Sequence, residues 1–281
     1  MMGEKIIIER IGTDGNMERA AMLFRELDGK VDAFGLGGAD LGMVVDNSYY
    51  PFHSAQKLVR HVKQTTVVDG LGLKSTLERK VEPFIRDHLG GHLEVHGSKA
   101  FFSTGTDRWG LCHPFALSGY DCVFGDLMFV LGLPIPMRSI ASLLTVTRIF
   151  APFVTCLPFK WLYNDSIAKQ GQTAKFEKYY QWATVIAGDC IYLKKYLPRK
   201  LVAGKIIVTN TTTEDDVTIF RQAGAEYLIT TTPVYDGRSF GTNVMEAVLV
   251  AISGKSRKLS NDEIEQLILK IGLMPHIQKL N

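Results

Sequence analysis

Short runs rich in β-branched and aromatic residues alternate with helical patterns along the whole chain, and this alternation most constrains what it can fold into. The runs Ile6 to Ile11, Val31 to Leu36, Thr65 to Asp69, Ala100 to Thr104, Cys122 to Gly125, Ala183 to Ala187, Ile206 to Thr209 and Tyr227 to Thr231 read as strands. The helices between them carry their own start and stop signals. Asn16 caps a helix from Arg19 to Leu27, with Gly29 just past its end. Ser75-x-x-Glu78 and Ser260-x-x-Glu263 read as capping boxes, and a helix starting at Thr213 to Asp216 is stopped by Gly224. Strands alternating with helices imply a parallel α/β sheet with helical crossovers.

Two architectures satisfy this pattern in 281 residues. One is a two-domain α/β protein with a C-terminal Rossmann-like parallel sheet; the other is a single (β/α)8 barrel. The stretch Gly90 to Ser98, GGHLEVHGS, reads as a break and favours two domains. On that reading residues 1–97 form an N-terminal substrate domain. Residues 98–281 form a dinucleotide-binding domain with a helical insert at 127–181, a further short strand near Val154 and C-terminal helices.

Composition narrows the partners. With 32 basic and 29 acidic side chains and a net charge of +3, the chain has no basic block, which argues against nucleic acid. Cys112, Cys122, Cys156 and Cys190 are widely spaced, form no C-x-x-C and read as reduced thiols of a cytoplasmic protein. Met1 to Lys5 leads straight into an apolar run and does not read as a signal peptide. Residues 139–159 are apolar and interrupted only by Arg148, Pro152 and Pro158. They read as a buried helix, an apolar substrate wall or a peripheral membrane contact.

The chemistry is expected in the polar loops that follow the strands. Lys99 to Asp126 has the outline of a dinucleotide-binding βαβ unit: strand, glycine-containing turn, short helix, second strand, terminal acid. Gly105, Thr106, Arg108 and Gly110 are the expected diphosphate turn, although position 107 is Asp where the usual motif has its second glycine. Asp126 is the expected ribose acid; a carboxylate there favours NAD, and adjacent Arg108 leaves NADP open. Farther along, Asp189, Asn210 and Thr211 fall where polar groups approach the nicotinamide end of such a cofactor.

Lys74 is the expected acid–base catalyst, since it lies near a helix amino end, with Asp107 from the next βα turn to orient it. Asp69, Thr230 and Arg238 are the expected substrate contacts, Arg238 as an anion site at a helix start. No metal site is expected, because Gly90 and Gly91 should end the helix that His88, His92 and His96 would need to share.

The runs Val31 to Gly38, Val67 to Gly70, Val123 to Phe129 and Ile207 to Thr213 together resemble bacterial proteins labelled quinate 5-dehydrogenase, related to shikimate and quinate dehydrogenases. The resemblance implies an NAD(P)-dependent oxidoreductase acting on a hydroxylated small molecule, with Lys74 and Asp107 as counterparts of that group's catalytic Lys–Asp pair. The alternatives are a barrel phosphodiesterase or lyase, and a non-catalytic ligand-binding or peripheral membrane protein. The oligomeric state is left open by the sequence.

Overall fold

A computed structural model of the chain describes residues 5–162, 173–198, 201–232, 234–235, 238–239 and 241–281. The chain divides into two compact units. One comprises Met1–Leu73, Phe150–Asn164 and Gly241–Leu273; the other comprises Lys74–Ile149, Asp165–Phe240 and Met274–Asn281. The helix Leu71–Glu78 passes from the first to the second between Leu73 and Lys74.

In the first unit, β1 (Ala33–Gly35) pairs in parallel with the strand Thr66–Val68, while β2 (Gly42–Val45) and β3 (Ser48–Pro51) form a hairpin that the sequence reading lacked. The hairpin turns on Asp46 at a φ of 56°, one of the few non-glycine residues that tolerate this region. The strand Thr66–Val68 is β4, and the helix Thr242–Ser253 packs on both β1 and β4. Gly70, which follows β4 with a φ of 90°, has its missing side chain facing the backbone of Thr242 and Asn243, so any Cβ would clash there. Asn16 caps the helix Met17–Leu27, and the Ser260–Glu263 capping box opens the helix Asn261–Ile271, both as expected. The expected strand at Ile6 to Ile11 is not one: no strand pairs with it among the described residues, and Ile7, Ile8 and Ile11 are exposed. β-propensity without a neighbouring edge supplies no ladder to join.

Glu246, on the helix Thr242–Ser253, is buried and accepts the Leu73 N–H at 3.0 Å. Burial raises its carboxyl to about 7, against the stabilising Leu73 amide and with help from the negative charge of Asp69. An acid raised in the fold costs nothing below its unfolded value and progressively destabilises as pH climbs from about 4.5 to about 7. Glu246→Gln is therefore expected to flatten the pH dependence across this window and to add up to about 3 kcal/mol at neutral pH. Urea denaturation against pH tests this, and parallel curves for variant and wild type would refute it.

The second unit is built on a six-stranded sheet. Its strands are β5 (Lys99–Phe102), β6 (Asp121–Phe124), β7 (Val185–Ala187), β8 (Ile206–Thr209), β9 (Tyr227–Thr230) and β12 (His276–Lys279); β10 (Val234–Tyr235) and β11 (Arg238–Ser239) pair separately. The order is β6-β5-β7-β8-β9-β12, parallel except for β12, which runs antiparallel to β9. Every residue of β7 and β8 is buried, as expected for parallel strands covered on both faces. Phe101, Val123, Ile186, Ile207 and Leu228 share one core with Phe176, Tyr180 and Phe220.

Among the described residues this is an α/β sheet with β6 and β12 as its outermost strands, β6 bridged only at Phe124 by Met137, so the eight-stranded barrel alternative is corrected to an open sheet. Only five of the expected strands join it, because β1 and β4 pair with each other. Two local expectations also change. Val154 ends the helix Ile140–Val154 and forms no strand. The stretch Val81–His96 is two helical segments that meet at a kink at Leu89 (φ −127°, ψ 21°), so the helix is interrupted just before Gly90 and Gly91 as expected, but it resumes to His96 instead of giving way to a loop. The sequence boundary at 97/98 falls between that helix and β5.

Candidate functional site

In open parallel sheets a ligand binds beyond the carboxyl ends of the strands, where the strand order reverses. Here the chain steps from β5 out to β6 and then returns to β7 on the other side, so the reversal lies between β5 and β7. The loops leaving those strands, Ser103 to Arg108 and Gly188 to Asp189, carry the expected site residues Gly105, Thr106, Asp107, Arg108 and Asp189.

Those loops converge on Arg108, whose side chain is almost wholly buried. Its Nη1 donates to Glu78 Oε1 at 2.6 Å, its Nη2 to Asp189 Oδ2 at 2.8 Å, and its Nε lies 3.3 Å from Asp107 Oδ2. Burial works against the guanidinium charge, but Glu78, Asp107 and Asp189 outweigh it and hold the group protonated well above its ordinary range. Glu78 shows the opposite balance: burial pushes its carboxyl up, and Arg108 and Lys74 only partly restore it.

The other oxygen of Asp107 accepts a hydrogen bond from Lys74 Nζ at 2.8 Å. Lys74 is 10% exposed and Asp107 is 40% exposed, so the carboxylate forms the open end of the pair. Burial alone would raise the Asp107 carboxyl; Lys74 and Arg108 bring it well below the usual range. The structure thus brings the two expected catalytic residues together. Lys74 sits in the first turn of the helix Leu71–Glu78, one turn before Glu78. Glu78 is the residue that sequence reasoning missed. It was read as a capping-box acid, whereas its i, i+4 spacing from Lys74 places both on one helix face.

Asp189 and Asn210 extend the network across the sheet. Asp189 Oδ1 caps the helix Cys190–Tyr196 through the Ile191 N–H, and its Oδ2 accepts from Asn210 Nδ2 at 2.8 Å as well as from Arg108. Asn210 Oδ1 accepts the Cys190 N–H, and the Thr231 and Thr232 hydroxyls donate to the Asn210 carbonyl. Thr230 is buried and donates to the Thr232 carbonyl; Thr211 is half-buried in the same loop. Asp69 belongs to the first unit, where it accepts the Leu41 N–H at 2.7 Å and the Leu71 N–H at 3.3 Å. The Arg238 side chain lies outside the described residues.

The expected cofactor turn has a different internal logic. The Gly105 and Thr106 N–H groups both donate at 2.8 Å to the carboxylate of Asp126, which is buried. Burial raises this carboxyl, opposed by the Thr106 hydroxyl and the two amides. Gly105 is also packed closely against Leu143 and Phe124, and Gly110 against the backbone of Ser75. Set against a dinucleotide, the loop as arranged does not fit: the amides that would meet a diphosphate already hold a carboxylate, and that carboxylate is withdrawn from any ribose. Arg108 is likewise engaged by its own acids.

Asp126→Ala should expose this substitution of anions. Removing the acceptor of two amides is expected to cost about 2–4 kcal/mol, and inorganic phosphate should return part of it by occupying the vacated position. Denaturation with and without phosphate measures this; an identical phosphate response in wild type would overturn it.

Two buried polar atoms at this edge have no hydrogen-bond partner among the described residues, Arg108 Nε and Ser103 Oγ, the latter just past β5. Gly188 lies directly against Ser103 Oγ, and only a residue without a side chain leaves room for the serine. Among the described residues, no group of three or more His, Cys, Asp or Glu is placed to hold a metal ion; His92 and His96 stack on each other at 4.4 Å.

The fold and site define an α/β protein with a charged, partly open Lys–Asp pair at the carboxyl edge of its sheet. Over residues 72–280 the chain matches, and belongs to, the family described as Domain of unknown function (DUF8754). Residues 1–69 match a second family, Domain of unknown function (DUF8753). No curated protein and no solved structure matches the chain.

Proposed function

We propose that the protein is an enzyme that transfers a proton at a hydroxyl or carbonyl oxygen of a small polar molecule, with Lys74 as the acid–base group. The observation that carries this reading is the 2.8 Å pairing of Lys74 Nζ with Asp107 Oδ1 at the edge where open parallel sheets take their ligands. Lys74 Nζ gives a proton to, or takes one from, a substrate oxygen, a step that by itself leaves the oxidation state of the substrate unchanged. Asp107 orients the lysine, and Arg108, held by Glu78 and Asp189, fixes Asp107. The hydroxyls of Thr231 and Thr232 add polar groups to the same sheet edge.

In its finer form the reading is an oxidoreductase of quinate-like or shikimate-like hydroxylated acids, with residues 98–281 as a Rossmann-like domain and residues 1–97 as a substrate domain. The sheet order, with β6 on one side of β5 and β7, β8 and β9 on the other, supports the nucleotide-binding comparison. This finer form requires NAD or NADP as hydride carrier, and the loop holding Asp126 on the Gly105 and Thr106 amides stands against it. Because the Gly105–Gly110 loop does not fit a diphosphate as arranged, the roles of Lys74 and Asp107 are derived independently of it. Four unpaired cysteines, three of them buried, agree with a reducing, cytoplasmic setting.

Thermal scans with quinate, shikimate, NAD and NADP, singly and in pairs, test the reading. Protection by a hydroxylated acid supports the proton-transfer site, and added protection by a dinucleotide supports the redox form. No protection by any hydroxylated acid would remove this substrate class.

A further inference from the structure

Acids make up 29 of the 281 residues, yet none falls between residues 127 and 162, where Arg138, Arg148 and Lys160 are the only charged side chains. This segment also holds a concentration of exposed apolar groups. Val130, Leu131, Leu133 and Ile135 are exposed within the loop V-L-G-L-P-I, six consecutive residues open to solvent. Such a run is a fault in a soluble surface unless it serves a function.

The helix Ile140–Val154 repeats the pattern in regular form. Leu143, Thr147 and Ala151, four residues apart, are its buried stripe. Its other face exposes Ala141, Thr145, Arg148, Ile149, Pro152 and Phe153 at helical spacing, with Ile149 at 55% and Phe153 at 71% exposure. Phe150 is exposed beside them. Among the described residues no helix is long and apolar enough to cross a membrane, and this one has 15 residues. A helix with one buried stripe and one apolar, purely cationic exposed face is suited to lie along an interface.

We propose that the exposed face of the helix Ile140–Val154 is a peripheral docking surface for an anionic lipid bilayer, with Ile149, Phe150 and Phe153 entering the acyl boundary and Arg148 meeting acidic headgroups. The charge decides between lipid and a second copy of the chain. A two-fold contact through this helix face would set Arg148 near its own counterpart with no acid in the segment to neutralise it. Acidic headgroups provide the missing negative charge and the apolar layer together. Arg138 is less committed to such a role, since it stacks over Trp182 and lies 3.8 Å from Asp121.

Co-sedimentation of the full chain with phosphatidylserine–phosphatidylcholine vesicles, and with phosphatidylcholine alone, tests the proposal. Binding to the acidic vesicles that weakens with salt, and that falls about tenfold or more in Ile149→Asp and Phe153→Asp, is the expected result. Arg148→Glu should weaken binding to acidic vesicles while leaving the small affinity for neutral ones unchanged. All three positions are exposed, and unchanged circular dichroism would show that the variants fold. No binding to acidic vesicles, or equal binding by variants and wild type, overturns the proposal. A lipid-free dimer that the same substitutions dissociate also overturns it, in favour of self-association.

Discussion

Replacing Lys74 with methionine is expected to lower kcat/KM by roughly 10²–10⁴-fold, the range that a positioned acid–base group contributes. Methionine keeps the length and most of the apolar contact of the lysine stem, and Asp107 retains Arg108 as a cationic neighbour. The variant should therefore fold and bind its substrate while failing to move the proton. Asp107→Asn is expected to be milder: the amide oxygen still accepts from Lys74, but the negative charge that orients the ammonium is gone. The assay is steady-state turnover on whichever hydroxylated acid protects the wild-type fold in thermal scans, read as a pH profile. Near-normal turnover by the methionine variant would take Lys74 out of the mechanism, whatever the substrate.

Arg108→Ala should have the largest effect on stability, a loss of about 3–5 kcal/mol, because it leaves buried carboxylates without their common cation. Glu78 and Asp189 are the acids most exposed to that loss, since Asp107 keeps Lys74 and Asp189 keeps only neutral donors. The pH dependence has a definite sign. Burial already raises the Glu78 carboxyl, and removing Arg108 raises it further. The penalty is then full where Glu78 would be ionised and shrinks as falling pH protonates it. Adding Glu78→Gln to the alanine variant should likewise recover part of the loss at neutral pH. Urea denaturation followed through Trp109 and Trp182, both in the second unit, gives the measurement. A loss below about 1 kcal/mol, or none regained in the double variant, would show that Arg108 does not hold these acids together.

Much of the second unit was legible in the sequence because local signals and tertiary structure agree there. The runs that became β5 to β9 are short, apolar and bounded by polar turns, and burial on both faces is what such runs require. Asn16, Thr213 and Ser260 cap as read, since a cap is a local hydrogen bond that needs no distant partner. Ile6 to Ile11 failed for the reverse reason, because pairing needs a neighbour that its own residues do not specify. The β2–β3 hairpin was missed because Asp46-Asn47 is a weaker turn signal than Asn-Gly or Asp-Gly. At the site, the meeting of Lys74 with Asp107 followed from the expectation that functional groups gather at strand ends. The coupling of Asp126 to the Gly105 and Thr106 amides did not. A carboxylate at the neighbouring strand end can serve a ligand or the protein's own backbone, and spacing alone does not distinguish them.

Both units are assembled from separated stretches of chain, which bears on how the polypeptide matures as it leaves the ribosome. The edge of β9 waits for β12, supplied by residues 276–279, and the helix over β1 and β4 arrives only with residues 242–253. The first unit waits for its segment 241–273, made after most of the second, and the second waits for its segment 274–281. An order of completion that runs unit by unit along the chain is closed to it, and the nascent protein must keep its apolar β9 edge shielded until residues 276–279 have been made.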